Sequence, residues 1–285
     1  MRLFCFGCGY TAEALIRRLA PRDLSFAGTR TRRHEATPAL PVLTLVPYAG
    51  DAPSAEVRRA LADTTHVLVS IPPDLEGDAV LRHYGEDLAG LPQLAWVGYL
   101  SSVGVYGDCQ GAWVSEDTPP RPSTERSLRR LQAEQAWRAF AQAVKGRVEI
   151  FRLAGIYGPG RSVLDTLGQG RARRIIKPGQ IFNRIHVDDI ARSLLAAIDS
   201  DTGHRLYNVS DDEPAPPQDV VAYAAELLGL PPPEEVVFEA AGLSGMAASF
   251  WSENRRVSNA RLRRDLGVSL TYPTYREGLR ALLAP

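Results

Sequence analysis

The chain has 285 residues, 45% of them apolar and 23% charged, a composition that fits a folded globular protein and excludes wholesale disorder or a collagen-like repeat. Lys and Arg number 33, as do Asp and Glu, so the broad positive field of nonspecific nucleic-acid binding is absent and no nucleic-acid partner is expected. No apolar run approaches the roughly 20 residues of a membrane span, and Gly7 and Gly9 interrupt the place where a signal peptide needs unbroken apolar residues, so the expected setting is cytoplasmic, without a membrane partner.

Residues 2–6 form a short apolar run that ends in a glycine turn, after which Ala12, Leu15, Ile16 and Leu19 recur at helical spacing. Strand, turn, helix is the reading. Further strands are predicted at 24–28, 42–46 and 65–71, with a helix over 56–62 before the last of them. Apolar runs at 95–100 and 148–153 bracket a helix over 124–144 that carries Ala133, Trp137, Phe140 and Val144 on one face. Beyond Gly160 the alternation loosens. Residues 161–180 are basic and glycine-bearing, and prolines at 214–217 and 231–233 punctuate two later stretches. Helices are predicted over 219–228, with Val220, Val221, Ala224 and Leu227 buried, and over 276–283. Strands alternating with helices imply a parallel sheet. The predicted organisation is an α/β, doubly wound parallel sheet over 1–160, with 182–212 returning to it and a smaller C-terminal substrate lobe from 161–181 and 213–285.

Three cysteines in a chain this long argue against a disulfide framework. Cys5 and Cys8 form a C-x-x-C, but Cys5 falls inside the first strand and no second Cys or His pair completes a tetrahedral site, so no metal is expected.

Gly7-Cys8-Gly9-Tyr10-Thr11-Ala12 matches G-x-G-x-x-A directly after a strand and at the opening of a helix, the context that the Rossmann dinucleotide fingerprint needs. Gly7 allows the sharp turn, and Gly9 lets the backbone approach a pyrophosphate. Ala12 keeps helix and strand close, and the helix N-terminus attracts the anion at Tyr10 and Thr11. Ser70, Ile71 and Pro72, at the end of the 65–71 strand, are read as a further wall of the same site. NAD-binding units carry an Asp or Glu about 20 residues on, for the ribose 2′-hydroxyl. Here the second strand ends Gly28-Thr29-Arg30-Thr31-Arg32-Arg33. A carboxylate is absent and arginines crowd the turn, which suits the 2′-phosphate of NADP rather than NAD; Arg30 is the first choice for it and Arg33 the second, with Thr29 beside them. An ordinary solvated basic loop is the alternative.

Tyr99-Leu-Ser-Ser-Val-Gly-Val-Tyr-Gly107 is similar to the active-site strand of extended short-chain dehydrogenases/reductases. So are Glu116-Asp-Thr-Pro-Pro-Arg-Pro122, Arg152-Leu-Ala-Gly-Ile-Tyr-Gly-Pro-Gly160, Ile185-His-Val-Asp-Asp-Ile-Ala191 and Tyr207-Asn-Val-Ser-Asp-Asp212, in the same order along the chain. The chain thus resembles that superfamily, in its epimerase/dehydratase-like form. The resemblance implies a Rossmann core, a small substrate lobe with a cleft between them, and Ser102 at the catalytic Ser/Thr position. One departure stands out. Aligned through Glu134-Gln135, the family's Tyr-x-x-x-Lys pair becomes Arg126 and Arg130, four apart and so on one helix face. Arg130 retains the positive charge for a cofactor ribose, whereas a guanidinium stays protonated and Arg126 cannot exchange protons as a tyrosine does. This resembles the atypical branch of the superfamily.

Tyr99, Tyr106 and Tyr157, at strand ends facing the implied cleft, are candidate substitute acids or packed aromatics. His186, with Asp188 and Asp189, is a candidate base or the cap of a helix beginning near Asp189. Arg171, Arg173, Arg174 and Lys177 would line the substrate wall and favour an anion, or form a solvated basic loop; Arg255 and Arg256, beside Phe250 and Trp251, carry the same ambiguity. The expectation is an NADP-dependent oxidoreductase or epimerase/dehydratase-like enzyme on a small anionic or sugar-like substrate, with a non-catalytic NADP(H)-sensing protein as the alternative. Homodimerisation through the helix after residue 124 is implied by the resemblance alone.

Overall fold

The computed structural model describes residues 1–22, 24–31, 43–201, 206–243 and 245–284. The first part of the chain runs β1 (Arg2–Phe6), α1 (Tyr10–Leu19), β2 (Ser25–Arg30), β3 (Leu43–Pro47), α2 (Ala55–Leu61), β4 (His66–Val69), α3 (Ala79–Ala89), β5 (Trp96–Ser102), β6 (Trp113–Val114), α4 (Glu125–Phe140) and β7 (Arg147–Leu153). The second runs β8 (Gly155–Tyr157), α5 (Val163–Gly168), β9 (Arg174–Ile176), β10 (Arg184–His186), α6 (Val187–Asp199), β11 (Leu206–Val209), α7 (Pro217–Leu227), β12 (Glu235–Val237), α8 (Gly245–Trp251), β13 (Arg256–Val257), α9 (Ala260–Leu266) and α10 (Tyr275–Ala281). Among the described residues no helix is long and apolar enough to cross a membrane.

Seven strands form one parallel sheet in the order β11-β7-β5-β4-β1-β2-β3, with Phe4 of β1 opposite Ala27 of β2 and Val67 of β4. Because side chains of a strand alternate between faces, Leu3 and Cys5 enter one core with α1 and α6, while Phe4 and Phe6 enter the other with α2, α3 and α4. Helices on both faces make the sheet doubly wound, as the alternation of elements predicts. The strand order reverses beside β1, and the carboxyl ends of strands at such a switch point are where ligands of open α/β sheets gather.

The α3 helix has no counterpart among the predicted elements. Asp78 caps it, accepting from the amides of Val80 and Leu81 at 3.0 and 3.1 Å, and Val80, Tyr84 and Leu88 bury its inner face. After β8 the chain adds a separate apolar cluster in which Tyr157, Leu164 and Leu167 meet α7 and α10. Asp189, fully buried in α6, fastens the segment leading to α10: its two carboxylate oxygens accept from the amides of Thr271 and Tyr272 at 2.7 and 2.9 Å. Replacing it by alanine leaves both amides without their acceptor, so Asp189→Ala is expected to lower the unfolding free energy by about 2 kcal/mol. A urea titration checks this, and a midpoint equal to wild type would contradict it.

Candidate functional site

The glycine turn after β1 is held from behind. Gly7 has φ +87°, and a Cβ there would lie 2.7 Å from Ile71 Cγ2 and 2.8 Å from Ser70 Oγ, so only glycine fits. Its amide donates to Thr29 Oγ1 at 2.9 Å, and Ser70 Oγ donates to its carbonyl at 2.6 Å. Gly9, the N-cap of α1, is different: a Cβ there would meet nothing within 4 Å. Gly9, Tyr10, Thr11, Ser70 and Pro72 line a cleft of about 1270 Å³, whereas Gly7, Ala12, Thr29 and Ile71 support the wall behind it. The open space at Gly9 and the helix N-terminus behind it fit the pyrophosphate of a dinucleotide. Tyr10 donates its hydroxyl to the Pro159 carbonyl at 3.0 Å, and burial pushes its phenol up to about 12. Arg30 ends β2 with Nε donating to the Cys8 carbonyl at 2.8 Å and Nη2 paired with Glu13 of α1. Arg33 lies outside the described residues.

Ser102 ends β5 in the same cleft and accepts from the Gly104 amide at 3.1 Å. Ser102 and Ser127 hydroxyls flank Gly104, where a Cβ would come within 3.3 and 2.9 Å of them. Thr124 caps α4 by accepting from the Ser127 amide at 3.2 Å, which sets the first turn of that helix against the serine. Arg126, exposed, lays its guanidinium 4.7 Å from the centre of the Phe250 ring of α8. Arg130, one turn on, donates from Nη1 to Tyr99 Oη at 3.1 Å and to the Leu100 carbonyl at 2.9 Å. Both arginines line the cleft.

The substitute acids do not reach it. Tyr99 Oη is taken by Arg130, and Tyr106 donates to Asn208 Oδ1 at 2.8 Å. Tyr157 lends the cleft its ring, but its hydroxyl packs 2.0 Å from where a Cβ of Gly278 would stand. Burial pushes all three phenols up. His186 is a cap: its Nδ1 accepts from the Asp188 amide at 3.2 Å at the start of α6, and burial lowers its pKa.

The expected basic substrate wall is corrected by the packing. Arg173 donates to the Ala241 carbonyl at 2.6 Å, Arg174 pairs with Glu235 at 2.9 Å and Lys177 donates to the Trp251 carbonyl, which leaves Arg171 alone of the four lining the cleft. Arg256 donates to the Gly111 carbonyl; Arg255 lines the cleft but pairs with Glu253 at 2.8 Å and donates to the Gly107 carbonyl. Cys5 and Cys8 are buried free thiols, and among the described residues no cluster of His, Cys, Asp or Glu could hold a metal. Five arginines nevertheless line the cleft without an ion-paired carboxylate among the described residues: Arg126, Arg130, Arg161, Arg171 and Arg184, the last donating to the Phe182 and Ala215 carbonyls at 3.0 and 3.3 Å. Thr124, Ser127, Arg161 and Glu13 were not singled out by sequence; the Thr124-x-x-Ser127 spacing at a helix start was the available signal for the first two.

A parallel sheet with a glycine turn after its first strand, a serine ending its fifth and a helix starting against that serine is the plan of the NAD-dependent epimerase/dehydratase family. The model of that family matches residues 93–210 of the chain. Across almost its whole length it is similar to a conserved protein of unknown function from Silicibacter pomeroyi DSS, at 48% identity over 99% of this chain and 97% of that one, with a TM-score of 0.90. It is 32% identical over 178 residues to protein YeeZ of Escherichia coli K12, a match that spans 61% of this chain and 58% of YeeZ, so only about three fifths of that curated relative is matched. The fold is shared with UDP-glucuronic acid 4-epimerase from Bacillus cereus in complex with UDP-glucuronic acid and NAD, at 16% identity, a TM-score of 0.78 and coverage of 99% and 97% of the two chains. The resemblance read from the motifs is thereby borne out. Within α4, Glu125–Phe140, the chain carries neither tyrosine nor lysine.

Proposed function

We propose that this chain is an NADP(H)-binding oxidoreductase, or an epimerase or dehydratase of the same family, acting on a small anionic or sugar-like substrate. The observation that carries the reading is the charge of the cleft: five arginines without an ion-paired carboxylate among the described residues line it, beside an open glycine cradle at a helix N-terminus. In this reading the amides of the Gly7 to Ala12 turn grip a diphosphate. Arg30 takes the 2′-phosphate by charge-assisted bonds, Arg130 reaches the nicotinamide ribose and Ser102 holds the substrate oxygen. When bound, the nicotinamide ring would supply or accept the hydride, and an unidentified group would move the accompanying proton. Arg126, always protonated, binds an anion and moves no proton. An anionic nucleotide sugar in the Bacillus cereus relative is in keeping with such a substrate.

A second reading, a protein that binds NADP(H) without turnover and reports it to a partner, is favoured by one observation. Tyr99, Tyr106 and Tyr157 all have their hydroxyls bonded or packed elsewhere. Steady oxidation of NADPH in the presence of a carbonyl metabolite would exclude it.

A thermal-shift comparison of NADPH, NADP⁺, NADH and NAD⁺ tests the first reading, because a ligand that binds only the folded state raises its stability, by about 2.7 kcal/mol at about 100 times Kd. The phosphorylated pair is expected to raise the melting midpoint most. Stabilisation by NADH and none by NADPH would overturn it.

A further inference from the structure

Glu13, in the first turn of α1, holds a position between two arginines. Its Oε1 pairs with Nη2 of Arg30, and its Oε2 lies 3.4 Å from Nη2 of Arg17, one turn along the same helix. The Arg30 and Glu13 side chains are 17% and 18% exposed, whereas Arg17 is 60% exposed. Arg30 is further anchored by its bond to the Cys8 carbonyl inside the glycine turn. A guanidinium offers a phosphate its planar fork of N–H groups, and the carboxylate of Glu13 already lies on that fork. Two anions on one partly buried guanidinium repel each other, so phosphate and carboxylate compete. The first turn of α1 keeps an anion at residue 13 favourable in either position, through the positive end of the helix.

Resting on the NADP(H) reading above, we infer that Glu13 is an internal competitor for the cofactor's 2′-phosphate, which leaves Arg30 for Arg17 when the phosphate binds. Glu13 and Arg17 are then positioning residues that set discrimination between phosphorylated and unphosphorylated cofactor. Without the phosphate, Glu13 stays on Arg30 and occupies part of its guanidinium fork. With it, the displaced carboxylate has a receiving cation 3.4 Å away and is not left unpaired.

The test is a fluorescence titration of the full chain with NADPH and with NADH, for wild type, Glu13→Gln and Arg17→Gln. Removing one competing charge-assisted bond should tighten NADPH about tenfold in Glu13→Gln and leave NADH within about twofold. Arg17→Gln, at an exposed site that leaves the core untouched, should weaken NADPH severalfold and leave NADH unchanged. NADPH affinity unchanged or lowered in Glu13→Gln overturns the inference, as does NADH weakening in step with NADPH. The wild-type preference tests the parent reading separately: tighter NADH than NADPH in wild type would remove the NADP assignment, while the ratio of variant to wild type still decides the role of Glu13.

Discussion

Glu134→Ala is expected to lower the unfolding free energy by about 3–5 kcal/mol, the loss that follows when one member of a buried ion pair is removed. Glu134 of α4 and Arg152 of β7 are each 1% exposed and meet in a fork, Nε to Oε1 at 3.0 Å and Nη2 to Oε2 at 2.7 Å. Ser101 adds a hydroxyl donated to Oε1 at 2.5 Å, and the guanidinium stacks 4.7 Å from the Tyr106 ring. Truncating the carboxylate strands a guanidinium whose side chain is 1% exposed. Replacing both partners by apolar residues of similar volume, as in Glu134→Leu with Arg152→Met, should recover most of the loss, because the pair's attraction mainly offsets its own desolvation. Denaturant unfolding of the two variants measures both numbers. A loss below about 1 kcal/mol in Glu134→Ala would show that the pair is solvated, in the range of exposed pairs.

Gly9→Val should abolish dinucleotide binding while the fold survives. The backbone at Gly9, φ −111° and ψ −162°, is open to any residue, and its Cβ would meet no atom of the protein. The isopropyl group would instead stand in the cleft against the helix N-terminus. A loss of at least about 100-fold in affinity, about 2.7 kcal/mol, is expected with a melting midpoint near that of wild type. Gly7 would not serve, since its positive φ and its contacts with Ile71 and Ser70 join binding to folding. Binding by Gly9→Val as tight as wild type would place the cofactor elsewhere.

The central strands β1, β4, β5 and β7 were legible because they are buried on both faces. The apolar run at residues 2–6 returns as β1, and the predicted 148–153 strand returns as Arg147–Leu153. The α3 helix escaped because Arg82, His83 and Gly85 interrupt its apolar residues Val80, Leu81, Tyr84 and Leu88; tertiary burial, more than local propensity, makes it a helix. At the site, the glycine turn could be read because its spacing is local, whereas Ser102 and the two α4 arginines were read only through the resemblance of their segments to the extended short-chain dehydrogenases. The fate of Arg173 and Lys177 could not be read, since their acceptors are carbonyls of Ala241 and Trp251, far along the chain. Glu13 shows the same limit from the other side: its tie to Arg17 is an i,i+4 pair written in the helix, but its tie to Arg30 exists only because β2 lies beside β1.

The stacking of Arg126 on Phe250 joins the helix beside Ser102 to α8 at the rim of the cleft. At an exposed site such a contact contributes about 0.5–1 kcal/mol, comparable with thermal energy. Parting that ring from that cation would require no shift of the sheet beneath it.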